Sequence, residues 1–147
     1  MKRALTALAM CLCLLLCLCG GAAAQESPAE SAVRVYVDGL LRLRGYDAEG
    51  TLYLCPADLA TLFGYTPEEE RNGALYRLRL DEDWVLEPTA VEQVWQADGR
   101  YLYVPEGMRV IEGRVYFPAD MAERLFGLQI SSDGTRAEVD TSRFQLL

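Results

Sequence analysis

Asp58 and Asp120 hold matching places in two similar stretches of the chain, Pro56-Ala57-Asp58 and Pro118-Ala119-Asp120. Two carboxylates set across a sugar are the machinery of glycoside hydrolysis. The same residues in the first turn of a helix satisfy free backbone N–H groups and favour the macrodipole. The second reading needs no substrate, and repetition of the stretch accounts for the equivalence without function.

Little other chemistry is available. The 147 residues include no histidine. Nucleophilic triads use a general base, most often histidine, so Cys–His catalysis is closed to Cys55. Ordinary zinc and copper sites need histidine or several cysteines. Four of the five cysteines, Cys11, Cys13, Cys17 and Cys19, fall in the apolar N-terminal run, which leaves Cys55 alone. It reads as a small buried hydrophobe, with a reactive or intermolecular thiol as the other reading. The glycines mark turns and helix ends rather than phosphate-cradling loops. Glu68-Glu69-Glu70 and Asp81-Glu82-Asp83 offer oxygen ligands of the kind calcium takes, but neither has the spacing of a calcium loop. They read as solvated acidic turns, and neither cofactor nor metal is expected.

Aromatic residues are the stronger binding signal. Tyr and Trp exposed on a sheet face form a flat platform for glycans or peptides. Trp84, Trp95, Tyr101 and Tyr103 are the candidates, because they cluster where the internal similarity is weakest.

The elements that would position these residues follow from pattern. Residues 33–37 alternate and are β-branched, Asp38-Gly39 is a hairpin turn, and residues 40–44 return. Residues 51–54 make a third strand. Pro56 opens a helix whose apolar stripe is Leu59, Leu62 and Phe63, and Gly64 closes it. Residues 66–72 read as a polar connection ending in the Asn72-Gly73 turn. Residues 75–80 form a strand with Leu75, Leu78 and Leu80 near one face and arginine on the other. Asp81-Glu82-Asp83 separates two halves. Further strands fall at residues 84–87, 91–95, 101–104, 109–111 and 115–117, with a turn at Asp98-Gly99. A second helix spans residues 119–126, with Met121, Ala122, Leu125 and Phe126 inward. Asp133-Gly134 then turns into a last strand at residues 137–140.

The N-terminus has the pattern of a secretory signal peptide. Met1-Lys2-Arg3 is positive, residues 4–19 are uncharged and apolar, and Ala22-Ala23-Ala24 supplies small residues for cleavage. The alternatives are a retained anchor and lipidation at Cys19, although the preceding Leu18 is bulky for that modification. Residues 25–32 read as a flexible leader. Cleavage after Ala24 removes two positive charges and no acid from a net −8, leaving −10 on 123 residues. That excess argues against nucleic acid and anionic membrane surfaces as partners.

The second stretch, Gly113-x-Val115-Tyr116-Phe117-Pro118-x-x-Met121-Ala122-x-x-Leu125-Phe126-Gly127 followed by Asp133-Gly134, resembles the copper amine oxidase N-terminal-like module, or stalk domain. Val35-Tyr36-Val37-Asp38-Gly39 with the Pro-Ala-Asp helix start looks like a second, more diverged copy. Cys55 and a helix one residue shorter set that copy apart. The resemblance implies a sheet wrapped around a helix and a role at the cell surface. It implies no amine oxidation, which belongs to a different, histidine-bearing domain.

The expectation is therefore an α+β fold, a duplicated unit of short antiparallel β-hairpins packed on one short α-helix per repeat. Its parts are a signal peptide (1–24), a leader (25–32), a first stalk-like repeat (33–80) and a second (81–147), the two repeats sharing one core or forming two. The expected function is an exported, non-enzymatic binding or spacer module of the bacterial cell envelope. It acts through a sheet face or edge on cell-wall polymer or an envelope protein, without membrane insertion after cleavage. The alternatives are a small carboxylate-dependent wall-glycan hydrolase, and an accessory or inhibitory subunit of a separate envelope enzyme.

Overall fold

A computed structural model describes residues 30–73 and 75–147. The signal-like segment 1–24, with Cys19, and leader residues 25–29 lie outside the described residues. The chain runs β1 (Ser31–Val37), β2 (Leu40–Ala48), β3 (Thr51–Leu54), α1 (Pro56–Leu62), β4 (Glu68–Asn72), β5 (Leu75–Arg79), β6 (Val85–Pro88), β7 (Val94–Ala97), β8 (Arg100–Tyr103), β9 (Arg109–Ile111), β10 (Arg114–Pro118), α2 (Ala119–Phe126), β11 (Gln129–Ser132) and β12 (Arg136–Asp140). β1 thus takes in Ser31 and Ala32, the end of the expected leader.

Two sheets result. One has seven strands in the order β11-β12-β1-β2-β3-β10-β9, and the other is the meander β4-β5-β6-β7-β8. The expected duplicated α+β unit is overturned. Strands hold 50% of the described residues and helices 13%, so the protein is a small β-rich fold. The internal similarity covers only β3–α1 and β10–α2. After α1 the chain builds the five-stranded sheet. After α2 it returns through β11 to β12, which lies parallel to β1. The flanking hairpins therefore have no matching arrangement, and two helices of two turns each cannot balance so many strands.

The parallel β1–β12 pair has no sequence signature, since nothing local in either strand encodes a partner a hundred residues away. Its end is fixed by Asp38, whose carboxylate accepts from the Thr141 backbone N–H at 3.1 Å and from the Thr141 hydroxyl at 2.5 Å.

Several local expectations hold. Asp38-Gly39 and Asp98-Gly99 both have positive φ at both residues, as a two-residue hairpin requires. Met121, Ala122, Leu125 and Phe126 are the buried face of α2. Others fail. In α1 the buried residues are Pro56, Ala57, Leu59 and Ala60, and Leu62 is 39% exposed. The face is rotated because Phe63, past the helix, turns to stack on Phe144 at 4.1 Å. Residues 68–72 are a strand, not a connection, and every one is exposed. In β5, Tyr76 and Leu78 face inward and continue to Leu80, while Leu75 joins Arg77 and Arg79 outside. Leu75 and Leu78 are three apart, and a period of two puts them on opposite faces. Asp81-Glu82-Asp83 is the turn between β5 and β6 of one sheet, where the Asp81 carboxylate accepts from the backbone of Asp83 and Trp84.

The sheets meet through aromatic residues. Phe117 of the first sheet lies edge-on to Trp95 of the second at 4.8 Å, and Tyr76 stands 5.9 Å from Phe117. All three are buried. Each such ring removes about 150–250 Å² of surface from water, so this trio is a large share of what holds the sheets together.

Candidate binding face of the five-stranded sheet

The inner face of the meander is apolar, carrying Tyr76, Leu78, Leu86, Trp95, Ala97 and Leu102. Alternation then sends a second set outward. Register places Glu70 opposite Arg77, Glu87 opposite Gln96, and Gln96 opposite Tyr101. The Arg77 guanidinium joins the first pair to the second, donating to Glu87 at 2.9 Å through Nε and 2.8 Å through Nη2, with Glu70 at 3.6 Å on its other side. A continuous row, Glu70–Arg77–Glu87–Gln96–Tyr101, thus crosses all five strands.

Tyr101 and Tyr103 end this face on the edge strand β8. They are two residues apart and 71% and 58% exposed. Tyr103 is held at both ends. Its hydroxyl donates to Gln93 Oε1 at 3.3 Å, and its backbone carbonyl accepts from Arg124 of α2 at 3.0 Å. Gln93 is in turn pinned to the Pro105 carbonyl at 2.7 Å. At the opposite end a depression of about 260 Å³ is lined by Glu70, Asn72, Leu75, Arg77, Glu87 and Pro88, among others.

Of the four aromatic candidates, then, two reach solvent. Trp95 packs against Phe117 in the core. Trp84 is 4% exposed and donates its indole N–H to the Leu147 carbonyl at 2.8 Å. The sequence pattern is local: both tryptophans adjoin polar residues, yet Trp95 sits at an inward position of β7 and Trp84 is buried immediately ahead of β6. No local sequence signal marks the arginine and glutamate row, because its basis, the outward parity of Arg77 and Glu87, depends on the register of three strands.

Neither aspartate faces a cleft with its counterpart. Asp58 accepts both Nη groups of Arg114, at 2.8 and 2.5 Å, an end-on bidentate pair. The same guanidinium lies 3.4 Å from the Cys55 sulfur. Burial pushes the Cys55 thiol up to about 11, so it stays neutral and poorly nucleophilic at ordinary pH. Asp120 instead pairs with Arg124 of its own helix at 3.2 Å.

The Glu68-Glu69-Glu70 run is likewise occupied. Glu68 and Glu70 face Arg79 and Arg77 across the hairpin, and Glu69 accepts the Tyr76 hydroxyl at 2.8 Å. Among the described residues no group of three or more metal-ligating side chains converges, and no helix is long and apolar enough to cross a membrane. Compared with protein-family models, curated proteins and solved structures, the chain gives no match.

Proposed function

We propose that this chain is an exported, non-enzymatic binding module of the bacterial cell envelope, and that it works through the outer face of the five-stranded sheet. Its ligand is cell-wall polymer, met by Tyr101 and Tyr103 and flanked by the Arg77–Glu87 row. The observation that carries this reading is the pair of tyrosines exposed on one face of an edge strand, with Tyr103 held at its hydroxyl by Gln93 and at its backbone carbonyl by Arg124. Rings that are held in place lose little freedom on stacking, which favours binding to sugar rings or flat peptide groups. The signal-like N-terminus and the resemblance to stalk modules support the place of action. The acidic charge supports a neutral or positively charged partner rather than nucleic acid.

The test is co-sedimentation with purified bacterial cell wall. The protein is expressed from its full sequence and purified from an exporting host, beside a Tyr101→Ala/Tyr103→Ala variant. Pelleting of the parent and its loss in the variant are expected. A parent that stays in the supernatant refutes the wall as ligand.

A further inference from the structure

A second surface, on the seven-stranded sheet, has an arrangement that the tyrosine face does not explain. Arg34 on β1 is directly opposite Arg44 on β2, and on its other side it is in register with Arg136 on β12. Cross-strand partners share a face, so three arginines stand in a row across three adjacent strands, about 4.8 Å apart per strand. Arg136 is neutralised by Glu138 and lies over the Tyr36 ring at 3.8 Å. Among the described residues, Arg34 and Arg44 are in no ion pair.

Like charges directly opposite on a sheet are destabilising, and this chain has 22 acidic residues with which to relieve them. The carboxylates nearby are engaged: Glu138 by Arg136, and Asp58 by Arg114. Beside the pair, a β-bulge between Val35 and Tyr36 leaves Arg42 as the extra residue of β2. An open groove of about 580 Å³ runs there, lined by Arg34, Arg42, Arg44, Leu41, Leu43 and Asp58. Bulges commonly re-aim a side chain beside a binding site.

We propose that Arg34 and Arg44 bind one phosphate group, and that the molecule bearing it rests in the groove against the exposed Leu41. The number of oxygens selects phosphate. One guanidinium fork engages both oxygens of a carboxylate, as Arg114 does those of Asp58, whereas a phosphate has further oxygens for a second fork. The net charge selects a small ligand, because a long polyanion is repelled by the rest of this acidic surface. The site is independent of the tyrosine face.

The test compares thermal unfolding of the full-sequence export product and of an Arg34→Gln/Arg44→Gln variant. Inorganic phosphate, glycerol 1-phosphate, glycerol and acetate are added at matched ionic strength. The parent midpoint is expected to rise saturably with either phosphate compound, as mass action on a native-state site requires. The variant is expected to keep only the shallow, unsaturating effect of salt. Without phosphate it is expected to unfold no earlier than the parent, since the repulsion is gone. A larger rise with glycerol 1-phosphate identifies the ligand as an ester, and an equal rise identifies free phosphate. In the parent alone, the Arg34 and Arg44 Nε–H signals are expected to shift in nuclear magnetic resonance on phosphate addition. The proposal is overturned by acetate matching phosphate, by static arginine signals, or by a phosphate-free variant less stable than the parent.

Discussion

Leu54 of β3 pairs with Phe117 of β10, and, counted from Gly50 and Gly113 with Cys55 as an added residue before Pro56, the two hold the same place in the two similar stretches of the sequence. The stretches therefore meet head to head, related by a local two-fold through that pair. The relation is broken at once by side chains. Arg114 crosses to Asp58 on α1, but the residue in the place of Arg114 in the other stretch is Thr51, too short to cross back. Asp120 accordingly turns to Arg124 on its own helix.

That asymmetry makes the two aspartates unequal. Asp58→Asn breaks a bidentate link between β10 and α1 and is expected to cost about 1 kcal/mol, discounted for its partial exposure. Asp120→Asn breaks an exposed i,i+4 pair worth about 0.3–0.5 kcal/mol. Urea denaturation of the two variants checks the ranking, and equal losses would refute the cross-stretch role of Arg114.

The aromatic candidates divide the same way. Trp95→Ala opens a cavity against Phe117 and Tyr76 and is expected to cost about 3–5 kcal/mol. Tyr101→Ala and Tyr103→Ala are expected to stay within about 0.5 kcal/mol of the parent. Chemical denaturation followed by circular dichroism measures all three.

High pH is expected to unfold the protein, with a sign fixed by burial. The Cys55 thiol is pushed up to about 11, and the Tyr116 hydroxyl up to about 12, each chiefly by burial. The Tyr76 hydroxyl is raised too, by burial and then by Glu69. For such acids the unfolded chain ionises first, so stability is whole below the unfolded pKa and falls as pH rises through the folded one. Cys55 alone accounts for about 3 kcal/mol, lost between roughly pH 9 and 11. Urea midpoints measured from pH 7 to 11 check this, and a Cys55→Ala variant is expected to lose less over that interval.

Gly127 ends α2 at φ 61, and a Cβ there would meet the Arg143 carbonyl at 2.7 Å and the Gln145 nitrogen at 2.9 Å. Gly64 also has a positive φ, 86, but open space around it. Gly64→Ala is expected to cost about 1 kcal/mol from backbone strain alone. Gly127→Ala costs more, because the segment that bonds to Phe126 and Leu125 must move. Thermal unfolding of the pair separates the two contributions.

What the sequence discloses here is what short range encodes. Asp38-Gly39 and Asp98-Gly99 carry their turn geometry in two residues, and Met121, Ala122, Leu125 and Phe126 carry α2 in one stripe. The strand at Glu68-Glu69-Glu70-Arg71-Asn72 has no apolar residue to announce it. It exists because β5 supplies a partner and because Arg77 and Arg79 neutralise its outer face. The burial of Trp84 and Trp95, and the row from Glu70 to Tyr101, depend on strand register. The parallel β12, which overturns the two-unit reading, depends on contacts across a hundred residues. The exposed Tyr101 and Tyr103 were legible as aromatic residues at period two on a short strand next to a turn.

The most direct test of the binding face is amide hydrogen exchange of the full-sequence export product with and without soluble cell-wall fragments. The account predicts slower exchange in β8 and in the outward positions of β7, centred on Tyr101 and Tyr103, with β1 and β12 unchanged. Slowed exchange elsewhere, with β8 unaffected, would contradict it.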